Sequence, residues 1–469
     1  MQNRSMNPSL KKQLSETELQ YIHSCALDLL KNIGIEIQDS LLRARFSNQD
    51  GITIRGERLY FEPTLIDHLV EEHRHQVSKP DSLLSRLRLL PYDYASYIVD
   101  LETDEIRPIT ETDLIDMTKL IDSLSCAGYP ISGGCPGFAQ DLPEPLRAVA
   151  QYKIGAEYSR TGRFADVPTI PAAEAIWRMS QVMGDTSFGM TLFMFNPLRV
   201  DEASLERILH FLDQDVPLSL SVSSMPLLGA STPIDLTACM AQSAAEILAG
   251  FTMLKLIAGK NPVDLRIQLF AFDMKNSNVA LGAAEGALLS ILAKELTDFY
   301  GGITHPNPYI FSTGKLPGEQ AAAEKMAHAL YKALAGARTL SCGGATATTI
   351  FSPEQLLYDC EIISYVDRIL RGFTIGDAAQ GLEAIRECYQ DGLYLAHETT
   401  VQSYRNSYWN PRFFEHISYK AWDNTGRTSQ RQRIKDTVRD MIRKHSFTLD
   451  ESKRQQLEKI YAEARANLA

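Results

Sequence analysis

The segment HPNPYIFSTGK, residues 305–315, combines two prolines and two aromatic residues with a histidine and a run of small polar residues. Similar mixtures recur in SGGCPGF at 132–138, FMFNPL at 193–198, SVSSMPLLGAS at 221–231 and SCGGATATTIF at 341–351. Aromatic rings offer their faces to a cation, and glycine and serine let a bulky partner approach the backbone. Ordinary apolar packing is the alternative for each single ring. The recurrence of the mixture favours a ligand site built from these segments.

Metal and nucleotide chemistry has little support in the sequence. The histidines of HLVEEHRH, at positions 68, 73 and 75, have neither the i, i+4 spacing nor the carboxylate frame of a helical zinc site, so this segment is expected to be a solvated helix face. Cys135 has no histidine near it in the sequence, which argues against a thiol nucleophile. AGKNP lacks the rest of a P-loop, and no GxGxxG motif follows a strand segment. We therefore expect no metal and no nucleotide cofactor.

Composition narrows the class of protein. The 469 residues are 44% apolar, which is enough for one elaborated barrel or for two to three smaller units. The formal charge is −11, and no basic stripe interleaved with aromatic residues is present, which argues against nucleic acid as a partner.

The beginning of the chain and its cysteines predict a cytoplasmic protein. The first twenty residues have no apolar signal-like run, and the most apolar later stretch carries Glu246 and Lys255, which argues against a membrane span. Seven cysteines are scattered without a CxxC pair, as expected in a reducing compartment.

Three regions with different patterns position the ligand segments. Residues 1–111 are predicted to form a helical leader with a small β insertion. Its first helix has a capping-box pattern from Ser15 to Glu18. Residues 112–397 are predicted to form a β/α barrel, and residues 398–469 an aromatic-rich clasp followed by helices.

The middle region alternates apolar strand segments with amphipathic helices. The strand segments are YPISGG, FADVPTI, FGMTLFMF, VPLSLSVSS, DLRIQLFAF, GITHPNPYIF, ARTLSCGG and GLYLA, of which the second and the eighth have the weakest pattern. Near-continuous apolar strands separated by helices require a parallel sheet whose outer face is covered. We predict an α/β fold, a (β/α)8 TIM-type barrel with an N-terminal helical/β leader and a C-terminal helical extension. An open doubly wound sheet is the alternative.

In such a barrel the active residues lie at the carboxyl ends of the strands. Phe193 and Phe195 alternate on one strand, so both or neither should face the barrel mouth. Tyr97, in the insertion of the leader, is a candidate for closing the pocket from the rim.

Several segments together resemble the trimethylamine methyltransferase family, over about residues 15–465. They are LSETELQYIHSCALDLLKNIGIEI, VDLETDEIRPIT, ADVPTIPAAEA, SAAEILAG, STGKLPGEQAAAEK and SYWNPRFFEHISYKAWDNTG. Members that contain pyrrolysine demethylate trimethylamine and carry that residue immediately before a Thr-Asp-Ser-Lys-like run. Here STGK occupies the run and Phe311 falls at the pyrrolysine position. The sequence therefore resembles the non-pyrrolysine branch.

The resemblance implies a reaction and its partners. Characterised members of this branch demethylate quaternary amines such as glycine betaine and pass the methyl group to the Co(I) corrinoid of a cognate corrinoid protein. Cobalamin would then be supplied by the partner and not bound tightly by this chain. Proline betaine or carnitine as substrate, and a betaine-binding protein without methyl transfer, are alternatives on the same barrel. An unrelated barrel lyase or hydrolase is a further one.

The resemblance also gives the candidate residues their roles. Phe311 and Tyr309 would wall the quaternary nitrogen by cation–π contact. His305 and Asn196 would donate to the carboxylate of a betaine. For His305 the alternative is a structural histidine.

The loop after ARTLSCGG supplies the remaining candidates. Backbone amides at Gly343 and Gly344 are predicted to form an anion nest for substrate or cofactor, with the hydroxyls of Thr346 and Thr348 adding bonds to the substrate. A tight turn is the alternative for the two glycines.

The family resemblance further implies a homo-oligomer. Five aromatic residues near the C-terminus predict either a clasp across the barrel or a subunit contact: Trp409, Phe413, Phe414, Tyr419 and Trp422.

Overall fold

Helices alternate with short strands along the computed structural model, which describes residues 4–6, 8–76, 86–165, 167–259, 262–302, 308–346 and 348–468. The helices are α1 (Glu16–Asn32), α2 (Ser40–Ala44), α3 (Pro63–Gln76), α4 (Glu111–Cys126), α5 (Arg147–Tyr158), α6 (Ile170–Met183), α7 (Glu202–Leu212), α8 (Leu236–Ala258), α9 (Ala284–Phe299), α10 (Glu319–Leu334), α11 (Pro353–Arg371), α12 (Ala379–Cys388), α13 (Glu398–Ser407), α14 (Tyr419–Asn424), α15 (Gln430–Arg443) and α16 (Glu451–Leu468).

The strands are short. They are β1 (Arg4–Met6), β2 (Ile35–Glu36), β3 (Ile52–Arg55), β4 (Arg58–Phe61), β5 (Arg88–Pro91), β6 (Tyr97–Val99), β7 (Ile106–Pro108), β8 (Phe188–Phe195), β9 (Arg199–Val200), β10 (Leu218–Ser224), β11 (Leu227–Leu228), β12 (Val263–Ile267), β13 (Phe270–Asp273), β14 (Asn278–Val279), β15 (Thr339–Cys342), β16 (Gly344–Ala345), β17 (Ile350–Phe351) and β18 (Phe373–Ile375). Two 3-10 helices lie at Glu144–Leu146 and Tyr394–Ala396.

The leader has the helix cap and the β insertion that its sequence predicted. Ser15 and Glu18 form the expected capping box of α1: each side chain accepts a hydrogen bond from the other residue's backbone N–H. In the predicted β insertion, GITIRGERLYF forms the antiparallel pair β3 and β4, and ASYIVDLETDEIRPIT forms the antiparallel pair β6 and β7.

One arc of the barrel consists of β8, β10 and β12, which are parallel neighbours. Leu192, Val222 and Leu265 are buried, and α8 packs on all three of these strands. This packing needs a glycine in α8, because a Cβ at Gly250 would lie 2.4 Å from Cγ2 of Val222. The predicted strands FGMTLFMF and VPLSLSVSS are thereby confirmed.

A second arc belongs to the same α/β barrel. β15 pairs in parallel with β5, and Leu89 of β5 bridges in parallel to Ile131. The extended segment 308–311 runs beside β15, since the Ser341 N–H donates to the Pro308 carbonyl at 2.9 Å. The predicted fold class, an α/β barrel with a leader and a C-terminal helical extension, is confirmed.

The sheet differs from the prediction in which segments supply its strands. GLYLA was predicted as the eighth strand, but Tyr394–Ala396 is a 3-10 helix and Leu395 is 90% exposed, so that prediction was wrong. DLRIQLFAF is divided between β12 and β13. Instead, β5 from before residue 112 pairs with β15, because strand identity depends on a pairing partner and not on local apolar content. The division of the chain at 111 and 397 stays a prediction.

The C-terminal helices return to the barrel: α16 lies against α5 and α6, and α15 against α4 and α11. Within the described ranges, no helix combines the length and apolar character that a membrane span requires.

Candidate active site

An aromatic cluster lies where segment 308–311 meets β13. The rings of Tyr309 and Phe311 stack with centroids 5.4 Å apart, and Phe270 approaches Phe311 edge-on at 6.1 Å. Tyr92, directly after β5, lies 5.2 Å from Tyr309. The structure therefore brings the two predicted cage residues together and adds two rings that the sequence did not indicate. Phe311 is only 4% exposed, while Tyr309 is half-buried.

Hydrogen bonds fix the two tyrosines of this cluster. The Tyr309 hydroxyl donates to Oδ1 of Asp93 at 3.3 Å, and the Tyr92 hydroxyl donates to the Ile310 carbonyl at 3.3 Å. Burial, with Asp93 as a further cause, raises the pKa of Tyr309 well above its usual range. Tyr309 is therefore a neutral phenol beside a carboxyl group, an environment that suits a cation.

A buried amine also contacts the cluster. Lys332 of α10 donates from Nζ to the Tyr309 carbonyl at 2.6 Å, and the same Nζ lies 5.6 Å from the centroid of the Phe311 ring. The side chain is 1% exposed, and burial lowers the pKa of Lys332 to about 7. Phe311 thus already has a basic neighbour within the protein, which the sequence did not reveal.

The predicted anion nest has its donors engaged elsewhere. The Gly343 N–H donates to Oδ2 of Asp359 at 2.8 Å, and Asp359 is paired with Lys325 at 2.8 Å. Both the backbone N–H and the hydroxyl of Thr346 donate to the Gly314 carbonyl at 3.1 Å. These groups connect the two loops, so in this conformation they are not available to an anion.

The other predicted residues of this loop and its rim have structural surroundings. Gly344 lies so close to Tyr92 that a Cβ would be 2.6 Å from the ring. Thr348 has a φ of +79°. The Tyr97 N–H donates to the Thr349 carbonyl at 3.1 Å, and the side chain is 43% exposed. The leader insertion therefore lies against this loop, and the role of Tyr97 in closing a pocket stays a prediction.

Asn196 belongs to a buried hydrogen-bond network and not to the open surface of a pocket. Its side-chain amide donates to Oγ of Ser224 at 3.1 Å and to Oε2 of Glu246. Oε1 of Glu246 accepts from the Leu198 N–H and from Nε2 of Gln242, each at 3.0 Å. Burial raises the pKa of Glu246, while these hydrogen bonds oppose the rise. Both amide hydrogens of Asn196 are used, so the predicted donation to a carboxylate has no free donor.

Phe193 and Phe195 share one side of β8, opposite the buried Met194. Phe193 is half-buried and Phe195 is 51% exposed. His305 lies outside the described residues.

The barrel has a hollow interior towards the amino ends of β8, β10 and β12. A cavity of about 880 Å³ extends there, and its lining includes small or polar residues on alternate positions of three strands: Gly189 and Thr191 of β8, Ser219 and Ser221 of β10, and Asp264 and Arg266 of β12. Barrels of this type are usually filled by branched apolar side chains. Here the cavity has the volume of a small-molecule site.

Charged groups reach the cavity from several elements. Arg163 donates to Asp185 at 3.0 Å. His73 of α3 is 4% exposed, and its Nε2 has no hydrogen-bond partner in the part of the chain that the structure describes. Burial, and secondly the charge of Lys255, lower the pKa of His73. The expectation that HLVEEHRH is a solvated face was wrong at His73, because α3 turns this residue inward onto Phe251 at 5.1 Å.

Arg266 is the residue in this lumen that sequence reasoning missed. It lies in register with Ser223 of β10, which is in register with Phe193 of β8. The signal was present in LSLSVSS and DLRIQL, where every second residue is polar. A parallel strand is usually apolar on both faces, so this alternation indicates a polar lumen.

The barrel, its polar lumen and the aromatic cluster define an α/β-barrel protein with an internal cavity of small-molecule size. The sequence model described as trimethylamine methyltransferase matches residues 3–469. The chain belongs to the trimethylamine methyltransferase family and is an enzyme of the methyltransferase class.

Similar proteins carry different substrate names. The trimethylamine methyltransferase MttB1 of Methanosarcina acetivorans is 24% identical, over 91% of this chain and 90% of that protein. The glycine betaine methyltransferase of Desulfitobacterium hafniense is 20% identical, over 87% and 88%. The proline betaine:corrinoid methyltransferase of Eubacterium limosum is 22% identical, over 86% and 87%. Family and reaction class are therefore shared, whereas the named substrate varies.

Proposed function

We propose that this enzyme transfers a methyl group from a small quaternary amine, with glycine betaine as the first choice, to the Co(I) corrinoid of a partner protein. One observation carries the proposal: the chain matches the family along its length, yet the residue before its STGK run is Phe311, a ring within an aromatic cluster. Two relatives of similar length are named for betaines, and one of these names includes a corrinoid.

The chemistry explains why an aromatic ring suffices at this place. In the transfer the carbon–nitrogen bond breaks, its electron pair stays on nitrogen, and the methyl carbon bonds to the acceptor. Co(I) supplies the electron pair of the new bond. A quaternary nitrogen leaves as a neutral tertiary amine, so no general acid is needed. The protein then contributes mainly position and desolvation.

The residues of the chain would bind and orient the cation. Tyr309, Phe311 and Phe270 supply ring surface, and a desolvated cation–π contact contributes about 2 kcal/mol. The carboxyl group of Asp93 lies at the Tyr309 hydroxyl, where it favours a positive ligand. His305, Phe193 and Phe195 stay candidates for the same pocket, Thr348 for a hydrogen bond to the substrate, and Tyr97 for the rim.

Methyl transfer to free Co(I) cobalamin, followed by visible spectroscopy, tests the proposal. The panel contains glycine betaine, proline betaine, carnitine, tetramethylammonium and trimethylamine. Demethylation of at least one quaternary amine is expected. Consumption of trimethylamine alone would overturn the proposal, and calorimetric binding without turnover would identify a betaine-binding protein instead.

We also propose that the enzyme forms a homo-oligomer through the segment 373–419. Several large apolar side chains of this segment are at least 60% exposed: Phe373, Tyr389, Leu393, Leu395, Tyr408 and Tyr419. The residues of the predicted aromatic clasp differ in their surroundings. Phe413 is buried, and Trp409 donates from its ring N–H to Oγ of Ser364 at 3.0 Å. The cytoplasmic location stays a prediction from the cysteines.

A further inference from the structure

The guanidinium of Arg266 projects from β12 into the hollow interior of the barrel. We propose that Arg266 binds the carboxylate of the substrate, so that the enzyme takes zwitterions whose anionic end points into the lumen. The inference rests on the proposed function and adds to it a residue that determines the substrate class.

The lumen leaves the donors of Arg266 unused. Among the described residues, none accepts a hydrogen bond from its guanidinium. The nearest acidic oxygen, Oδ2 of Asp264, lies 3.7 Å from Nε, which is beyond hydrogen-bond distance. The side chain is 41% exposed and lines the cavity. An arginine fork with free donors matches a carboxylate in geometry and binds it through two parallel hydrogen bonds.

The position of Arg266 is fixed by the strands and not by a loop. The neighbouring residues of β12, Leu265 and Ile267, are fully buried on the opposite side of the strand. This alternation directs Arg266 inward, as it does Ser223 and Phe193 in the same row. Small side chains on β10 leave space in front of the guanidinium.

The charges of the cavity favour a zwitterion over a simple anion. Among the described residues, its charged lining consists of three basic and three acidic side chains, namely Arg163, Lys255, Arg266, Glu72, Asp185 and Asp264. The charges of these described residues balance, so together they give a ligand with net negative charge little net attraction. A carboxylate with its own internal cation leaves the balance unchanged.

The register also places an aromatic side chain within the length of a small betaine. Arg266 and Phe193 are two strands apart in one row, a backbone separation of about 10 Å. The side chain of Arg266 covers part of this span. We place the carboxylate at Arg266 and the cation towards Phe193, although β8 contributes Gly189 and Thr191, and not Phe193, to the lining of the cavity.

Two variants and a matched pair of amines test the assignment. Glycine betaine carries a carboxylate where choline carries a hydroxymethyl group. For Arg266→Met we expect KM for glycine betaine to rise at least about tenfold, with KM for choline or tetramethylammonium changing less than about threefold. Arg266→Lys should restore part of the loss, because it returns the charge without the fork. Arg207→Met, on the outer helix α7, is the control and should change neither.

Equal losses on carboxylated and uncarboxylated amines, or no loss on either, would overturn the role of Arg266. Calorimetry with glycine betaine and choline, without any corrinoid, separates this inference from the methyl transfer itself. If the wild type transfers no methyl group but binds glycine betaine in an Arg266-dependent manner, the proposed function fails and this inference stands. If the wild type binds neither amine, the inference fails. Unfolding temperatures of all variants identify losses caused by misfolding.

Discussion

At the scale of single residues, the site combines neutral rings with buried charges. Phe311 and Tyr309 form a stack whose neighbours are a carboxyl group, Asp93, and an amine, Lys332. Lys332 is buried and Asp93 is partly buried, and in such surroundings the interaction of a charge with a ligand is stronger than in water. The ligand preference of the cluster therefore depends on a small number of groups that can be changed one at a time.

Phe311→Leu should weaken the use of quaternary amines. Leucine keeps apolar volume but removes the ring face, and the loss of about 2 kcal/mol corresponds to a rise of about thirtyfold in KM. Methyl transfer to Co(I) cobalamin measures the effect. Phe311→Tyr is the control and should keep most of the affinity, provided that thermal unfolding shows both variants folded. Unchanged kinetics in Phe311→Leu would exclude the ring from the cage.

Lys332 gives the folding stability a specific dependence on pH. Burial lowers its folded pKa to about 7, below the value of about 10.4 for an unfolded lysine. Between these values the unfolded chain binds more protons than the folded chain, so the free energy of unfolding rises with pH.

Relative to Lys332→Met, the wild type should gain on the order of 2 kcal/mol between pH 7 and pH 9. Urea unfolding of both proteins at each pH measures the difference. Parallel pH curves for the two proteins would show that Lys332 does not titrate in this range.

At the scale of elements, α8 connects the outside of the barrel with its mouth. Its Glu246 accepts hydrogen bonds from Asn196, Leu198 and Gln242, which ties the loop after β8 to the helix. α8 is one of the helices expected between the strand segments, but the sequence could not show that one carboxylate in it holds a loop that is fifty residues away.

Glu246→Ala should destabilise the protein more than Asn196→Ala does. The first change leaves several buried donors without an acceptor, at about 1–3 kcal/mol each, whereas the second removes a single partner. Thermal unfolding measures both, and an equal decrease in Tm would contradict the central role of Glu246. Gln242→Ala serves as a second single-partner comparison.

At the scale of the whole molecule, the barrel presents two different surfaces. The lumen is polar, and the segment 373–419 exposes a concentration of apolar side chains on α12, α13 and the turns between them. Such a patch on a protein surface usually marks a contact with another protein. The chain as a whole carries a formal charge of −11, so this apolar patch differs in character from a charged surface.

Light scattering should therefore give a mass that is a multiple of 52.4 kDa. Leu395→Glu combined with Tyr408→Glu should shift the protein towards the monomer, because charges are unfavourable within an apolar contact. Leu41→Glu, which changes an exposed leucine of α2, is the control. A wild type that is monomeric at micromolar concentration would contradict the proposed oligomer.

The sequence by itself determined the fold class, the capping of α1, the hairpin in the leader and the strands β8, β10 and β15. These features follow from local periodicity and capping, which neighbouring residues decide. The sequence also indicated Tyr309 and Phe311 as candidate binding residues, because an aromatic pair beside prolines can be recognised in the sequence alone.

Only the tertiary structure decided what those residues touch. Strand β5, the partner of β15, comes from the leader, the donors of Asn196 and Thr346 are used inside the protein, and Nε of Arg266 has no hydrogen-bond partner among the described residues. Each of these facts depends on contacts between residues far apart in the chain. A side chain's hydrogen-bond partners and its exposure are properties of packing, so the same residue type in the same local pattern can be a structural brace or a binding group.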